Sequence, residues 1–321
     1  MPKFRIHHKT KYSYDKPVRD SANQIVLYPI RDEYQEVLKH ELQITGDPEV
    51  EVFKDYYGNE IGSFTHAEPH TELIIDSRVE VVTHPKLAPA VEDPDDRQWA
   101  QLQELRNQTP YIDFLKLEEF SSLNEVRETA HRVKRQSSTV QDAARQLNTY
   151  VYGQFKYIKG ITSVETTLDE VWKLRAGVCQ DFAHVLLIML RLIQLPARYV
   201  SGYICPSSGP MRGEGATHAW VETYLPSYGW MGLDPTNNCL VNGMHVRLAV
   251  GRSFSDCSPV RGTYKGSAEH QLEVGVSVIY EDGRTVNEAS AILKPQPAKP
   301  VAEQNSYRRY LEMMQQQQQQ Q

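Results

Sequence analysis

From Phe4 to about Thr83, apolar and polar residues alternate in FRIHHKTKYSY, NQIVLYP, VLKHELQIT, EVEVFKDYYGNEIGSFT and TELIIDSRVEVVT. A period of two predicts half-buried strands, and Gly46-Asp47-Pro48 and Tyr57-Gly58-Asn59 supply turns between them. The expected product is an N-terminal β-sandwich-like domain over residues 1–85. The stretch HPKLAPAVEDPD, with its three prolines, suits a linker. A helical period then takes over in DDRQWAQLQELRNQ, LNEVRETAHRVKR and STVQDAARQLNTYVYGQFKY, where Ser138 or Thr139 can cap. Linker and helices are expected to occupy 86–140.

The short helical piece TTLDEVWKLRA leads to Gly177. Beyond it, Cys179, Phe182, Ala183, Leu186, Leu187, Leu190 and Ile193 recur at helical spacing, predicting one buried stripe on a helix that Leu195-Pro196 ends. Strand patterns return in ARYVSGYIC, HAWVETYL, GWMGLDP, HVRLAV and QLEVGVSVIYEDGRTVNEASAIL, where Asp282-Gly283 marks a hairpin turn. Helices followed by antiparallel strands indicate an α+β class. The expected divisions are a core over 141–266, C-terminal strands over 267–293 and a disordered Gln-rich tail over 294–321, in which RRYLEMM is a short helical piece.

Composition narrows the function. The chain has 321 residues, 40% hydrophobic and 24% charged, which suits a globular protein large enough for two domains. A formal charge of −6 gives no electrostatic reason to expect nucleic acid or an anionic membrane as partner. No run approaches the roughly 18 apolar residues of a membrane span. MPKFRIHHKTKYSYD has no apolar signal core, so a cytoplasmic location is expected, with Cys179, Cys205, Cys239 and Cys257 as free thiols. Their spacing contains no C-x2-C knuckle, and neither a metal nor a cofactor is expected.

GVCQDFAH, residues 177–184, places a cysteine at a helix mouth. The first N–H groups of a helix lack intrahelical partners, and the macrodipole stabilises a thiolate there. Gly177 would allow a tight entry and leave room beside the sulfur. The Cys179 N–H, with Gln180, could serve a developing oxyanion. A nucleophilic thiol needs a base, and the base an orienting acceptor. THAWVETYLPSYGWMGLDPTNN reads as two strands with His218 near the start of the first and Asp234 at the end of the second. Pairing Tyr224 with Trp230 would put both on one face. Asp181 and His184 are expected to give structural support, and Trp172, Tyr203 and Trp220 to wall the cleft or fill the core. The Gly-rich SSGPMRGEGATH reads as a loop bordering the site.

GVCQDFAH, RYVSGY, THAWVE and GWMGLDPTN together resemble the transglutaminase-like core shared by animal transglutaminases, bacterial cysteine-protease-like proteins and peptide N-glycanases. FRIHHKTKYSYDKPV and VGRSFSDCSPVRGTYKG are similar to a two-domain bacterial branch of that family. That branch usually shows Asp-Tyr where this chain has Ser253-Phe254. The resemblance implies a papain-like core with Cys179 as nucleophile, His218 as general base and Asp234 as orienting acid. It carries no calcium-binding acidic loops. The expected activity is attack on an amide, peptide or isopeptide bond through a thioester, with hydrolysis favoured over transfer to an amine. A non-catalytic binding or assembly module is the alternative from another class. Expected partners are a peptide, protein or small amide substrate, with the N-terminal β-domain as a surface for a protein partner.

Overall fold

The computed structural model describes residues 1–90, 97–163, 166–206, 211–214, 216–226, 228–287 and 291–293. Part of the Gly-rich loop and the whole tail from Lys294, including RRYLEMM, lie outside the described residues. β1 (Lys3–Ile25) organises the first domain. Along its first half Phe4, Ile6, His8 and Thr10 are buried and alternate with more exposed residues, as a pleated strand with one core face requires. Phe4–Tyr14 pairs antiparallel with a late strand, and Lys3–Ser13 pairs on its other side with β5 (His70–Thr83), which also carries β2 (Gln35–Ile44).

The alternation then fails. Register shifts interrupt both the Ser13–Val18 and the Arg19–Ala22 stretches, and Asp20 adopts a positive φ of 49°. Past this bend, Ser21–Ile25 pairs with β4 (Glu60–His66), itself edged by β3 (Glu51–Lys54). One strand therefore serves both layers of the domain. Phe4, Ile6, Leu73, Ile75 and Val81 from one layer pack with Ile25 and Phe64 from the other.

The second domain builds on helices α1 (Arg97–Leu105), α2 (Leu123–Gln136), α3 (Val140–Gln154), α4 (Leu168–Leu174) and α5 (Cys179–Leu192). α3 opens on Thr139, whose hydroxyl accepts from the Asp142 N–H at 3.0 Å. α4 opens on a Thr167–Glu170 capping box. The short strands β6 (Lys156–Tyr157) and β7 (Ala176–Gly177) pair in parallel beside the start of α5. A five-stranded antiparallel sheet follows: β8 (Ala197–Ile204), β9 (Thr217–Leu225), β10 (Gly229–Asp234), β11 (Cys239–Leu240) and β12 (His245–Gly251), in the order β11-β10-β9-β8-β12.

α5 carries more than the expected single stripe. From Asp181 to Leu192 every residue except His184 is buried, because α2, α3 and α4 enclose the helix on the sides that the sheet does not cover. Val221 and Leu233 of the sheet face this helical core, whereas Val200, Trp220 and Val250 face Ile30 and Tyr57 of the first domain. After α6 (Phe254–Cys257) the chain returns to the first domain. β13 (Val260–Lys265) pairs with Arg19–Ile25 of β1, and β14 (His270–Tyr280) pairs with Phe4–Tyr14. β15 (Thr285–Asn287) and β16 (Ala291–Leu293) pair with β14. Among the described residues, no helix is long and apolar enough to cross a membrane.

Candidate active site

The mouth of α5 is held by its third residue. The Asp181 carboxylate accepts from the Val178 N–H at 2.8 Å and from the Thr162 hydroxyl at 2.6 Å. This folds the carboxylate back over Gly177, where an added Cβ would lie 2.4 Å from Asp181 Oδ2. Gly177 therefore makes room for Asp181. Burial pushes the Asp181 carboxyl up, against the opposing pull of Thr162 and Val178. Cys179 begins the helix half-buried, and its Sγ lies 4.0 Å from the Thr217 carbonyl oxygen, at the residue before His218. The helix mouth and the start of β9 thus meet.

β9 and β10 pair in the register that the pattern predicted, Trp230 opposite Tyr224 and Leu233 opposite Val221. Even-numbered residues of the two strands share a face, and His218 Nε2 lies 2.9 Å from Asp234 Oδ2. Asp234 is fully buried and its carboxylate is well supplied with donors. Oδ1 accepts from the Thr236 and Asn237 N–H groups at 2.9 and 3.2 Å. Oδ2 accepts from Asn237 Nδ2 at 2.8 Å and from His245 Nε2 at 3.3 Å. Burial alone would raise the carboxyl, but the His218 imidazole and then His245 hold it well below the usual range. Burial likewise disfavours a charged His218, yet the Asp234 carboxylate, helped by the Cys179 sulfur, lifts that imidazole well above its ordinary value. Its other nitrogen, Nδ1, is buried and makes no hydrogen bond of ordinary geometry.

His245 was not singled out in the sequence. It opens β12, at the far edge of the sheet from β10, and nothing in HVRLAV distinguishes a site residue from an ordinary strand start. Its Nδ1 faces the Asn242 N–H at 3.3 Å and accepts from it, so Nε2 carries the proton given to Asp234. His218, Asp234 and His245 offer atoms within 4.8 Å of one another, a spacing a metal ion could use. The hydrogen bonds argue otherwise: binding through His245 Nε2 would move its proton to Nδ1, against the Asn242 N–H.

The loop before β9 covers the histidine. Arg212 is tied to Asn237 by two hydrogen bonds, N–H to Oδ1 at 2.9 Å and Nδ2 to the Arg212 carbonyl at 3.1 Å. Its guanidinium lies 4.8 Å from the Tyr152 ring centroid and 5.9 Å from that of Tyr157. Gly213 follows with a positive φ of 86°, and a Cβ there would lie 2.5 Å from His218 Nδ1. Tyr157 also feels the Cys179 sulfur, although burial is the main force raising its phenol to about 12.

Trp172, Tyr203 and Trp220, read in the sequence as cleft walls or core, are buried in packing. Trp172 joins the helical core beside Phe155, Tyr203 hydrogen-bonds His8 across the domain junction at 2.8 Å, and Trp220 lies against His245 with ring centroids 5.1 Å apart. Gln180 remains half-buried beside Cys179. The imidazole of His184 accepts from the Phe254 N–H at 3.1 Å, tying α5 to the Ser253-Phe254 segment. Burial, with Arg191 nearby, lowers His184 to about 4, so it is neutral in that role.

Residues 127–235 match the family model described as the transglutaminase-like superfamily, and residues 4–82 match the bacterial transglutaminase-like N-terminal region. An uncharacterized protein of Mycobacterium leprae (strain TN) is 32% identical over 286 residues, covering 87% of this chain and 99% of that protein. A protein-glutamine gamma-glutamyltransferase of Pseudomonas aeruginosa is 32% identical over 120 residues, 33% of this chain and 17% of that protein. Among solved structures, "a Putative Cysteine Protease from Cytophaga hutchinsonii" superposes with a TM-score of 0.67 at 24% identity, covering 92% of both chains. With both domains matched in order and a relative aligned over almost its whole length, the chain belongs to the transglutaminase-like superfamily, in the bacterial branch that joins the core to a transglutaminase-like N-terminal region.

Proposed function

We propose that the protein is a cysteine peptidase or amidase in which Cys179 is the nucleophile, His218 the acid and base, and Asp234 the orienting carboxylate. The observation that carries this reading is the His218 ring, fixed by Asp234 through Nε2 while its buried Nδ1 has no other partner beside the Cys179 helix mouth. The thiolate attacks the amide carbonyl carbon and forms a C–S bond. The resulting oxyanion is met by N–H groups of the first turn of α5, with Gln180 beside them. His218 Nδ1 passes its proton to the amide nitrogen as the C–N bond breaks, leaving a thioester and a free amine. Water then gives a proton to Nδ1 while its oxygen attacks the thioester, and the acid departs as the thiolate is restored.

Transfer of the acyl group to a primary amine uses the same first half and is the second reading. The alignment with a protein named for glutamyl transfer favours it. Mass spectrometry of the protein with an amide-containing peptide library, with and without an added primary amine, tests both. An acyl mass on Cys179 released as a free acid supports hydrolysis. Amine-bearing products support transfer, and the absence of any adduct on Cys179 contradicts both.

A further inference from the structure

The sheet face turned away from α5 meets the first domain around a cavity of about 330 Å³, a size within the lower range of small-molecule sites. Cys179 does not line it. The deepest charged group is Glu222, which is buried and accepts from Arg198 Nε at 2.8 Å, with Arg247 Nη1 3.9 Å away. Arg247 also pairs with Asp32 at the rim. These contacts match two carboxylates to two guanidinium groups.

Lys86 adds a third cation. Its ammonium donates to the Trp230 carbonyl at 2.8 Å and lies 5.0 and 4.4 Å from the ring centroids of Tyr34 and Tyr228. Among the described residues, no carboxylate stands within ion-pair distance of it. Glu33 also borders the cavity, but from an exposed position where water screens it. A charge drawn partly out of water is costly without a counter-ion, and ring faces supply only part of what water gave. The cavity thus combines a cation without a direct ion pair, which Glu222 attracts only from beyond that distance, with aromatic walls, since Tyr228 and Trp230 also line it.

We propose that this cavity is a second binding site, for a small organic carboxylate whose charge pairs with Lys86 and whose body lies against Tyr228 and Trp230. The site does not depend on the chemistry assigned to Cys179. Calorimetric titration of the full chain with benzoate and with succinate tests it, with inorganic phosphate as the comparison anion. The expected result is saturable one-to-one binding of at least one carboxylate that weakens as KCl is raised. Lys86→Met should weaken that binding about tenfold or more, and Lys86→Arg should retain it. Lys86→Met also removes the hydrogen bond to the Trp230 carbonyl and the two ring contacts, so its fold is verified by circular dichroism and thermal melting before titration. No saturable binding of either carboxylate to the wild type would overturn the proposal, as would equal affinity in a folded Lys86→Met or binding of phosphate alone.

Discussion

His245 Nε2 lies 3.3 Å from Asp234 Oδ2, the oxygen that also receives His218, so two histidines from β9 and β12, the strands on either side of β8, converge on one buried carboxylate. A hydrogen bond to a charged group is worth about 1.5–3 kcal/mol, and one of this length falls at the lower end. His245→Leu should therefore slow thioester formation about tenfold while the chain stays folded. His245→Gln keeps an N–H donor and should recover part of the loss. Single-turnover rates measure both, and unchanged rates in the leucine variant would remove His245 from the site.

Gly213 tests the covering loop. Alanine there combines a positive φ with a Cβ 2.5 Å from His218 Nδ1, so either the loop or the imidazole must move. Gly213→Ala should reduce turnover at least tenfold and lower the thermal midpoint modestly through the strained φ, with the chain still folded. Wild-type turnover would show that the loop stands away from the histidine in solution.

Gly177 should behave differently, because its neighbour is Asp181, whose bonds to Val178 and Thr162 hold the helix mouth. Gly177→Ala overpacks a buried site at a cost of about 1–3 kcal/mol. Urea denaturation should show a lower midpoint, and Cys179 should lose reactivity with it. An unaltered midpoint would mean that the carboxylate moves aside freely.

Several of these features were legible in the sequence because they depend on local periods. The β9–β10 register follows from a side-chain period of two, which puts Tyr224 opposite Trp230 and brings His218 beside Asp234. The α3 start follows from Thr139, one of the two caps that the sequence offered, and the helical period of TTLDEVWKLRA gives α4. What escaped was set by contacts between distant segments. His245 reaches Asp234 only because β12 comes to lie beside β8. Tyr203 is buried because the first domain covers it and places His8 against its hydroxyl. Trp172 sits near GVCQDFAH in sequence, but α4 turns it into the core. The double role of β1 was hidden because its alternation breaks where the chain bends between layers.

The buried His218–Asp234 pair also sets a pH dependence. His218 is lifted above its ordinary 6.5, so its stabilising contribution is complete below that pH and is lost as pH rises toward the folded-state value. Asp234 is held below its ordinary 3.8, so its contribution is present above that pH and is lost on acidification. The stability difference between wild type and His218→Gln should be largest between about pH 4 and 6.5 and shrink steadily at higher pH. Urea denaturation across the alkaline range measures it, and a difference independent of pH would mean the pair is not charged.

The most direct test is competitive alkylation with limiting iodoacetamide at neutral pH, followed by peptide mapping of all four cysteines. Burial pushes the Cys205 and Cys257 thiols up and shields them, while Cys239 is half-buried like Cys179 and pushed up to about 12, first by burial and then by Asp234. Cys239 is thus the internal control matched for exposure. Cys179 should label at least tenfold faster than Cys239, and His218→Ala should abolish that advantage. Equal labelling of Cys179 and Cys239, or an advantage that survives loss of His218, would contradict a thiolate activated by this imidazole.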